Sequence, residues 1–381
     1  MLLGHPTDAN AADRAALKEK PVIKDKVSEL VSLCAFAGER FDLSQAGGGN
    51  ASFINDGDLW ITASGWPLSD VKNESAMCQL DHAGLVEAMR DLMRRRDKLD
   101  KSELERAASE SVKQCVKTLG VRPSIETLMH CLLGPYTLHT HPIAVTALLC
   151  RKNWREAISG LFPDAILVGY ETPGVRLALA LAELLQSGKH ASSSGVRKIF
   201  LENHGLIISG ESEEEVAKAT DEVVLTVANH LGLDLSRYKL SNNLTHLLRA
   251  VTDESLCSYY CEDKVLLDVL KKSEDLLMER PSWPDQLVYC GSAGVRLSSF
   301  GDKRALSDFK AKYGHLPKVV LVEDHLFLVD HTIKNCRRLE EVLKAHVMML
   351  ANADMDDVQF LSNDEQEYLL NWEAEKARQR M

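Results

Sequence analysis

Residues 122–142 read RPSIETLMHCLLGPYTLHTHP, and what this stretch becomes decides how the rest of the chain is read. Gly134-Pro135 breaks it in two. After the break, the β-leaning run YTLHTH predicts a strand, on which His139 and His141 project from one face roughly 7 Å apart. That spacing suits two ligands converging on one metal ion. Before the break, Ser124 precedes a helical pattern with Leu128, Cys131 and Leu132 on one side, and Glu126 falls in its first turn. A carboxylate there can face the end of the next strand. A His-x-His pair alone is also an ordinary surface or hydrogen-bonded feature, so the metal reading requires a third ligand elsewhere.

Toward the amino terminus, Val27, Leu30, Val31 and Cys34 recur at helical spacing, and the helix they predict ends near Phe41. Gly47-Gly48-Gly49-Asn50 then leads into two short strands, ASFIN and DLWITAS, joined at Asp56-Gly57, and Ser64-Gly65 closes the hairpin. Glycine lets backbone N–H groups approach a ligand, and Asn50, Ser52 and Ser64 add side-chain hydrogen bonds. The turn therefore reads either as a phosphate cradle or as a tight connection. MCQLD predicts a further strand and residues 82–96 a helix, after which a polar stretch, 97–110, leads through another amphipathic helix to Gly120.

Toward the carboxyl terminus, IAVTALLC predicts a buried helix, AILVGY a buried strand, and Thr172-Pro173-Gly174 the start of a helix to about Gln186. SSSG (192–195) reads as a loop. KIFLENHGLIISG predicts two strands divided at Asn203-His204-Gly205, so His204 lies at a turn, where a side chain can be aimed into a site. It is the third histidine that the pair requires. Ser212 and Glu215 form a capping box for the next helix, which ends near Gly232. Beyond Leu240 the pattern weakens. Residues 247–280 read as helical, with Cys257 and Cys261 four apart on one helix face as packing residues. DQLVYCG, KVVLVEDHLFLV and a helix from Thr332 to about Asn352 form a small α/β unit, and Ser362 with Glu365 opens a final helix carrying the charged tail.

The 381 residues give length for two domains, and 45% hydrophobic with 27% charged residues is a soluble globular composition. A net charge of −11 argues against a nucleic-acid surface. The nine cysteines include no Cys-x-x-Cys pair and fit reduced thiols. The leader, MLLGHPTDANAADRAALKEK, is too polar after Leu3 for a signal peptide, and no apolar run approaches the ~18 residues of a membrane span. The expectation is a cytoplasmic protein with no nucleic-acid and no membrane partner.

GGGNAS (47–52), ITASG (61–65), PSIETLMH (123–130), LHTHP (138–142) and NHGLIISG (203–210) together resemble, in order and separation, the motifs of the class II aldolase and adducin family. GGGN and SIETLMH resemble the long members related to rhamnulose-phosphate aldolase domains. The resemblance implies an α/β fold of three layers, α/β/α, with a mainly antiparallel central sheet over residues 22–245. A leader (1–21) precedes it, and a smaller C-terminal α/β segment (246–381) follows, expected to pack subunits together or cover the site. The resemblance also implies Zn2+ or another divalent metal ion on His139, His141 and His204, and Glu126 as the acid/base residue. Asn50, Ser64, Gly65 and Ser124 would contact a substrate phosphate. Ile125 and Gly47, where short sugar-phosphate aldolases carry hydroxyl residues, count against phosphate. A homotetramer is implied, with sites at subunit boundaries completed by a tyrosine; Tyr238, Tyr259 and Tyr260 are candidates. The implied activity is that of a lyase cleaving a sugar or sugar phosphate by retro-aldol chemistry. An epimerase, dehydratase or decarboxylase on the same metal site, or a non-catalytic adducin-like interaction module, are the alternatives. Glutamate at 126 leans away from the pentulose-phosphate epimerases, which tend to carry aspartate.

Overall fold

Strands form where the sequence alternates or runs apolar between turn residues, and seven of them build the main sheet. They are β1 (Asn50–Asn55), β2 (Asp58–Thr62), β3 (Met77–Asp81), β4 (Tyr136–Thr140), β5 (Ile166–Val168), β6 (Arg197–Leu201) and β7 (Gly205–Gly210). Their order is β3-β2-β1-β4-β7-β6-β5, and every neighbouring pair is antiparallel except β5 with β6. The sheet is thus mainly antiparallel, as expected. This computed structural model describes residues 21–187, 195–273 and 275–372. The leader up to residue 20, residues 192–194 of the SSSG loop and the charged tail after Trp372 lie outside the described residues.

The β1–β2 connection is Asp56-Gly57, with φ of 49° and 83°. Positive φ at both positions gives the turn whose twist matches the flanking strands. Register then places Asn50 opposite His139, and His139 opposite Ile207. The end of β4 therefore sits mid-sheet, flanked by β1 and β7.

Helices cover both faces. On one, Pro21–Gly38, Ile143–Leu149, Trp154–Leu161 and Glu213–Leu231 enclose a core that includes Leu30, Phe53, Leu138, Val145 and Val223. On the other, His82–Arg95, Lys101–Cys115 and Val175–Gln186 enclose Ile61, Leu85, Leu104, Leu181 and Ile207. Along β7, Leu206 and Ile208 point to the first core and Ile207 to the second, as a strand buried on both faces requires. The result is the three-layer α/β/α arrangement.

Several boundaries differ from the sequence reading for local reasons. The first helix ends at Gly38 rather than near Phe41, because Gly38 lies against the backbone of Ser69, where a Cβ would stand 2.1 Å from the Ser69 nitrogen. Lys101–Cys115 begins inside the stretch read as polar, started by a reciprocal Asp100–Glu103 capping box. At Ser212 the box is half formed: Ser212 Oγ accepts the Glu215 N–H, while the Glu215 carboxylate accepts the Glu211 N–H. The helix Trp154–Leu161 was not read from the sequence.

Beyond Leu240 the correction is larger. Residues 247–280 are not helical throughout: β8 (Cys257–Tyr260) lies among them and joins β9 (Val295–Leu297), β10 (Val319–Val322) and β11 (His325–Asp330) in a second sheet, order β8-β11-β10-β9. Cys257 pairs opposite Asp330 and Cys261 follows the strand, so the two share no helix face. DQLVYCG falls in a helix, Pro284–Cys290, opened by proline at its start. Both faces of this sheet are also covered. Leu266, Leu277 and Leu343 pack on one side, and Leu244, Leu248 and Leu306 on the other.

The second sheet repeats the connectivity of half of the first. Order β4-β7-β6-β5 corresponds to β8-β11-β10-β9, and each set has one parallel pair, β5/β6 and β9/β10. Each hairpin carries a positive-φ turn residue, Asn203 or Glu323, and each is followed by a long helix capped by Ser212 or Thr332. The third residue of β7, Ile207, faces His139; the third of β11, Phe327, faces Tyr260. Tyr260 thus holds the position in the second sheet that His139 holds in the first, and Glu262 that of His141. All nine cysteines are free thiols, and among the described residues no helix is long and apolar enough to cross a membrane.

Candidate metal centre

His139 is the next-to-last residue of β4 and is fully buried. Its Nδ1 lies 3.0 Å from the Leu206 carbonyl oxygen. A carbonyl only accepts, so Nδ1 carries the proton and Nε2 presents a lone pair. His141 follows the strand, its backbone N–H donating to the Leu43 carbonyl at 3.1 Å. His204 projects from the β6–β7 turn, just after Asn203 at φ 53°. The three rings converge: His139 and His141 Nε2 are 3.0 Å apart, and the ring centroids are separated by 4.8, 4.9 and 5.1 Å. One donor nitrogen from each lies within 4.8 Å of the others. His139 and His141 approach more closely than their spacing along a strand because His141 has left the pleat.

Three glycines make room for these rings. A Cβ on Gly48 would stand 2.7 Å from His141 Nδ1, and one on Gly205 2.4 Å from the Thr140 carbonyl oxygen and 2.8 Å from His141 Cδ2. Gly49, at φ 86°, passes equally close to the backbone of His139. Gly48 and Gly49 thus serve the imidazoles, whereas Gly47 faces open space. A second support is the buried pair Arg40–Asp42, with Arg40 donating to both Asp42 oxygens at 3.0 and 2.7 Å and also to Asp221. It pins the loop whose Asp42 and Leu43 carbonyls accept the N–H groups of Ile143 and His141. Arg40, Asp42 and Asp221 were missed in the sequence: ERFDLS has no periodicity, and Asp221 lies on a helix 181 residues away.

Glu126 is not in the first helical turn. It is the residue capping a short helix, Thr127–His130, and Cys131 already lies beyond that helix. Its buried carboxylate places Oε2 2.6 Å from Asn50 Nδ2 and 3.4 Å from His139 Nε2, with Oε1 3.3 Å from His204 Nε2. Asn50 Nδ2 also donates to Ser124 Oγ at 3.2 Å, and Ser124 Oγ accepts the Glu126 N–H at 3.2 Å. Of the four residues expected on a phosphate, Asn50 and Ser124 are therefore joined to Glu126. Ser64 and Gly65 lie exposed in the adjoining turn, fixed by Ser64 N–H to the Arg122 carbonyl at 2.8 Å. His130, also missed, is buried with Nδ1 2.7 Å from Ser52 Oγ and Nε2 without a partner.

The family description "Class II Aldolase and Adducin N-terminal domain" matches residues 28–228. The chain belongs to the class II aldolase and adducin family. No curated protein matches it. Among solved structures, the N-terminal class II aldolase domain of a conserved protein from Thermoplasma acidophilum is 22% identical, over 54% of this chain and 93% of that one, with a TM-score of 0.45. An L-fuculose 1-phosphate aldolase is 20% identical over 54% and 85%, TM-score 0.39. A sugar-phosphate aldolase from Thermotoga maritima is 16% identical over 56% and 98%, TM-score 0.39.

The electrostatics of this class II aldolase-family site favour a cation. Burial pushes His139, His141 and His204 down to about 4, so the rings are neutral near pH 7 and their lone pairs are available. Three neutral imidazoles beside a carboxylate form a donor set that a divalent ion takes in an open site. The histidines can hold one such ion.

The same burial fixes a pH dependence. His130 is pushed down to about 3 and His346 to about 4, so five histidines refuse protons that the unfolded chain takes up near 6.5. The unfolded state then binds more protons over this range, so stability present above pH 6.5 is lost as pH falls toward 4. Glu39, Glu105 and Glu340, raised chiefly by burial, act in the opposite direction, three groups against five. The urea midpoint of the chelator-treated protein is expected to be lower at pH 5.0 than at pH 7.5. A higher midpoint at pH 5.0 would contradict neutral buried rings.

Proposed function

We propose that this chain is a metal-dependent lyase that breaks a carbon–carbon bond in a sugar or sugar phosphate by retro-aldol chemistry. The observation that carries the reading is a buried carboxylate, Glu126, held 3.3 and 3.4 Å from two of three convergent imidazoles. His139, His141 and His204 would hold the ion, and Zn2+ suits three neutral nitrogens with a position left open. Such an ion, when bound, supplies Lewis-acid stabilisation of the negative charge that develops on the substrate oxygens.

The protein groups around it supply the proton chemistry. Retro-aldol cleavage passes the hydroxyl proton of the carbon leaving as an aldehyde to a base, breaks the carbon–carbon bond, and returns one proton to the enediolate carbon that remains, so no net proton is gained or lost. Glu126 is positioned for proton transfer at that carbon. Asn50 holds Oε2 through its Nδ2, while its own Oδ1 is buried without a partner and is available to a substrate hydroxyl. Ser124, Ser64 and Gly65 would contact the substrate. Leu244, Leu247 and Leu248 pack in the core of the second sheet, which supports starting the C-terminal unit at Leu240 rather than at residue 246. A homotetramer and a cytoplasmic setting belong to the same proposal.

The test is product release. Purified protein is offered a panel of ketoses and ketose phosphates, and glycolaldehyde, lactaldehyde and dihydroxyacetone or its phosphate are sought. Release of an aldehyde is expected. Turnover with no aldehyde would replace the lyase by an epimerase, dehydratase or decarboxylase, and metal binding without turnover of any kind would favour an interaction module.

A further inference from the structure

A cleft of about 440 Å³ separates the two units. One wall is made by Ala46, Gly47, Gly65 and Pro67, the turns that lead into Gly48 behind His141 and toward Ser124. The other is made by Tyr238, Tyr259 and Tyr260 and the first turns of the helix Ile333–Leu350, which presents Lys334 and Arg337. All three candidate tyrosines thus reach the cleft. Tyr238 donates to Glu262 at 2.5 Å and Tyr260 is 3.0 Å from His325 Nδ1, so their hydroxyls are already engaged.

The positive charges of the cleft come from the second unit. Lys334 and Arg337 are three apart on one helix face, both exposed. Lys334 has no carboxylate partner among the described residues, and Arg337 lies beside Tyr259 and Glu340. The amino-terminal turn of this 18-residue helix adds partial positive charge. On the acidic side, Asp70 accepts a hydrogen bond from Ser69, and Glu39 is buried. Thr245 and Asn242 lie near Glu39, yet neither carboxyl oxygen makes a hydrogen bond of normal geometry. Burial raises Glu39 to about 7, opposed by Thr245 and by the Lys72 and Arg249 charges, so it is partly neutral near pH 7. The Glu39 carboxyl oxygens are closed off from the cleft, so an occupant that fits brings an anionic group for the cations.

The catalytic unit by itself is poorly equipped to hold such an anion. Asn50 and Ser124 are joined to Glu126, and Ile125, 69% exposed at the same place, offers no hydrogen bond. We propose that Lys334 and Arg337 bind the terminal anionic group, phosphate or carboxylate, of a polyhydroxy substrate lying in this cleft. The proposal rests on the lyase reading and gives the repeated half-sheet a role. Having tyrosine and glutamate where the first sheet has histidines, it supplies specificity in place of a second metal centre.

The test titrates inorganic phosphate, and separately acetate, into the full-length metal-loaded protein and into Lys334→Gln/Arg337→Gln. Both side chains are exposed, so the double variant is expected to keep wild-type melting and metal content. It is expected to bind the preferred anion at least about tenfold more weakly, and preference for phosphate over acetate identifies the substrate class. His139→Ala should retain anion binding. Turnover of an anionic substrate should show KM raised at least about tenfold with kcat within about twofold. Wild-type protein that binds neither anion, a double variant that binds as tightly, or loss of anion binding in His139→Ala would each overturn the proposal. Loss of anion binding in the double variant with no aldehyde from any substrate would support the cleft assignment while rejecting the lyase reading.

Discussion

His139→Ala is expected to empty the metal centre. His139 offers its Nε2 from the middle of the sheet, and its tautomer is fixed by the Leu206 carbonyl. Mutating a group that merely orients a ligand costs about 10–100-fold in metal affinity, so deleting the ligand should cost more than about 100-fold. Metal per chain, measured by elemental analysis after gel filtration, should fall from near stoichiometric to background, and turnover should fall with it. The alanine also leaves the Leu206 carbonyl without its donor, worth about 1–3 kcal/mol. Lowered stability alone would therefore not establish ligation. His204→Ala separates the effects, because His204 sits at a turn with its side chain 15% exposed and should lose metal with less loss of stability. Metal content unchanged in both variants would refute the ligand assignment.

Glu126→Gln should leave the metal in place and remove the chemistry. The amide has the shape of the carboxylate and can still accept from Asn50 Nδ2, now 2.6 Å from Oε2, so the fold and the three histidines should be unaffected. It cannot take a proton and return it at carbon. A positioned acid/base group contributes about 10²–10⁴-fold, and kcat should fall by that range with metal content unchanged. Loss of metal together with activity would make Glu126 a ligand first, and full activity would remove it from the reaction.

The legible part of this molecule was local. Alternating and apolar runs placed β1 to β7, Asp56-Gly57 placed the first hairpin, and the five motifs contained the three histidines and the glutamate that the fold brings together. Register and company were not legible. Asn50 reads as a phosphate donor in sequence but donates to Glu126, 76 residues away, and His130 meets Ser52 across 78 residues. Gly48 and Gly205 read as turn residues, yet each stands where a side chain would strike His141. The run around Cys257 read as helix because its apolar spacing is ambiguous over so short a span, and pairing with β11 made it a strand.

By itself the sequence determined the succession of strands and helices up to about Leu240, the helix Trp154–Leu161 excepted, and the chemical character of the centre, since hydrophobic periodicity, turn residues and the spacing of histidines are properties of neighbours along the chain. Only the tertiary structure decided how closely the rings meet, that Asn50 and Ser124 hold the carboxylate beside them, and that half of the first sheet is repeated beside it with tyrosine in place of histidine. Those outcomes depend on strand order and cross-strand register. Both are fixed by packing between residues far apart in sequence, for which no local pattern exists.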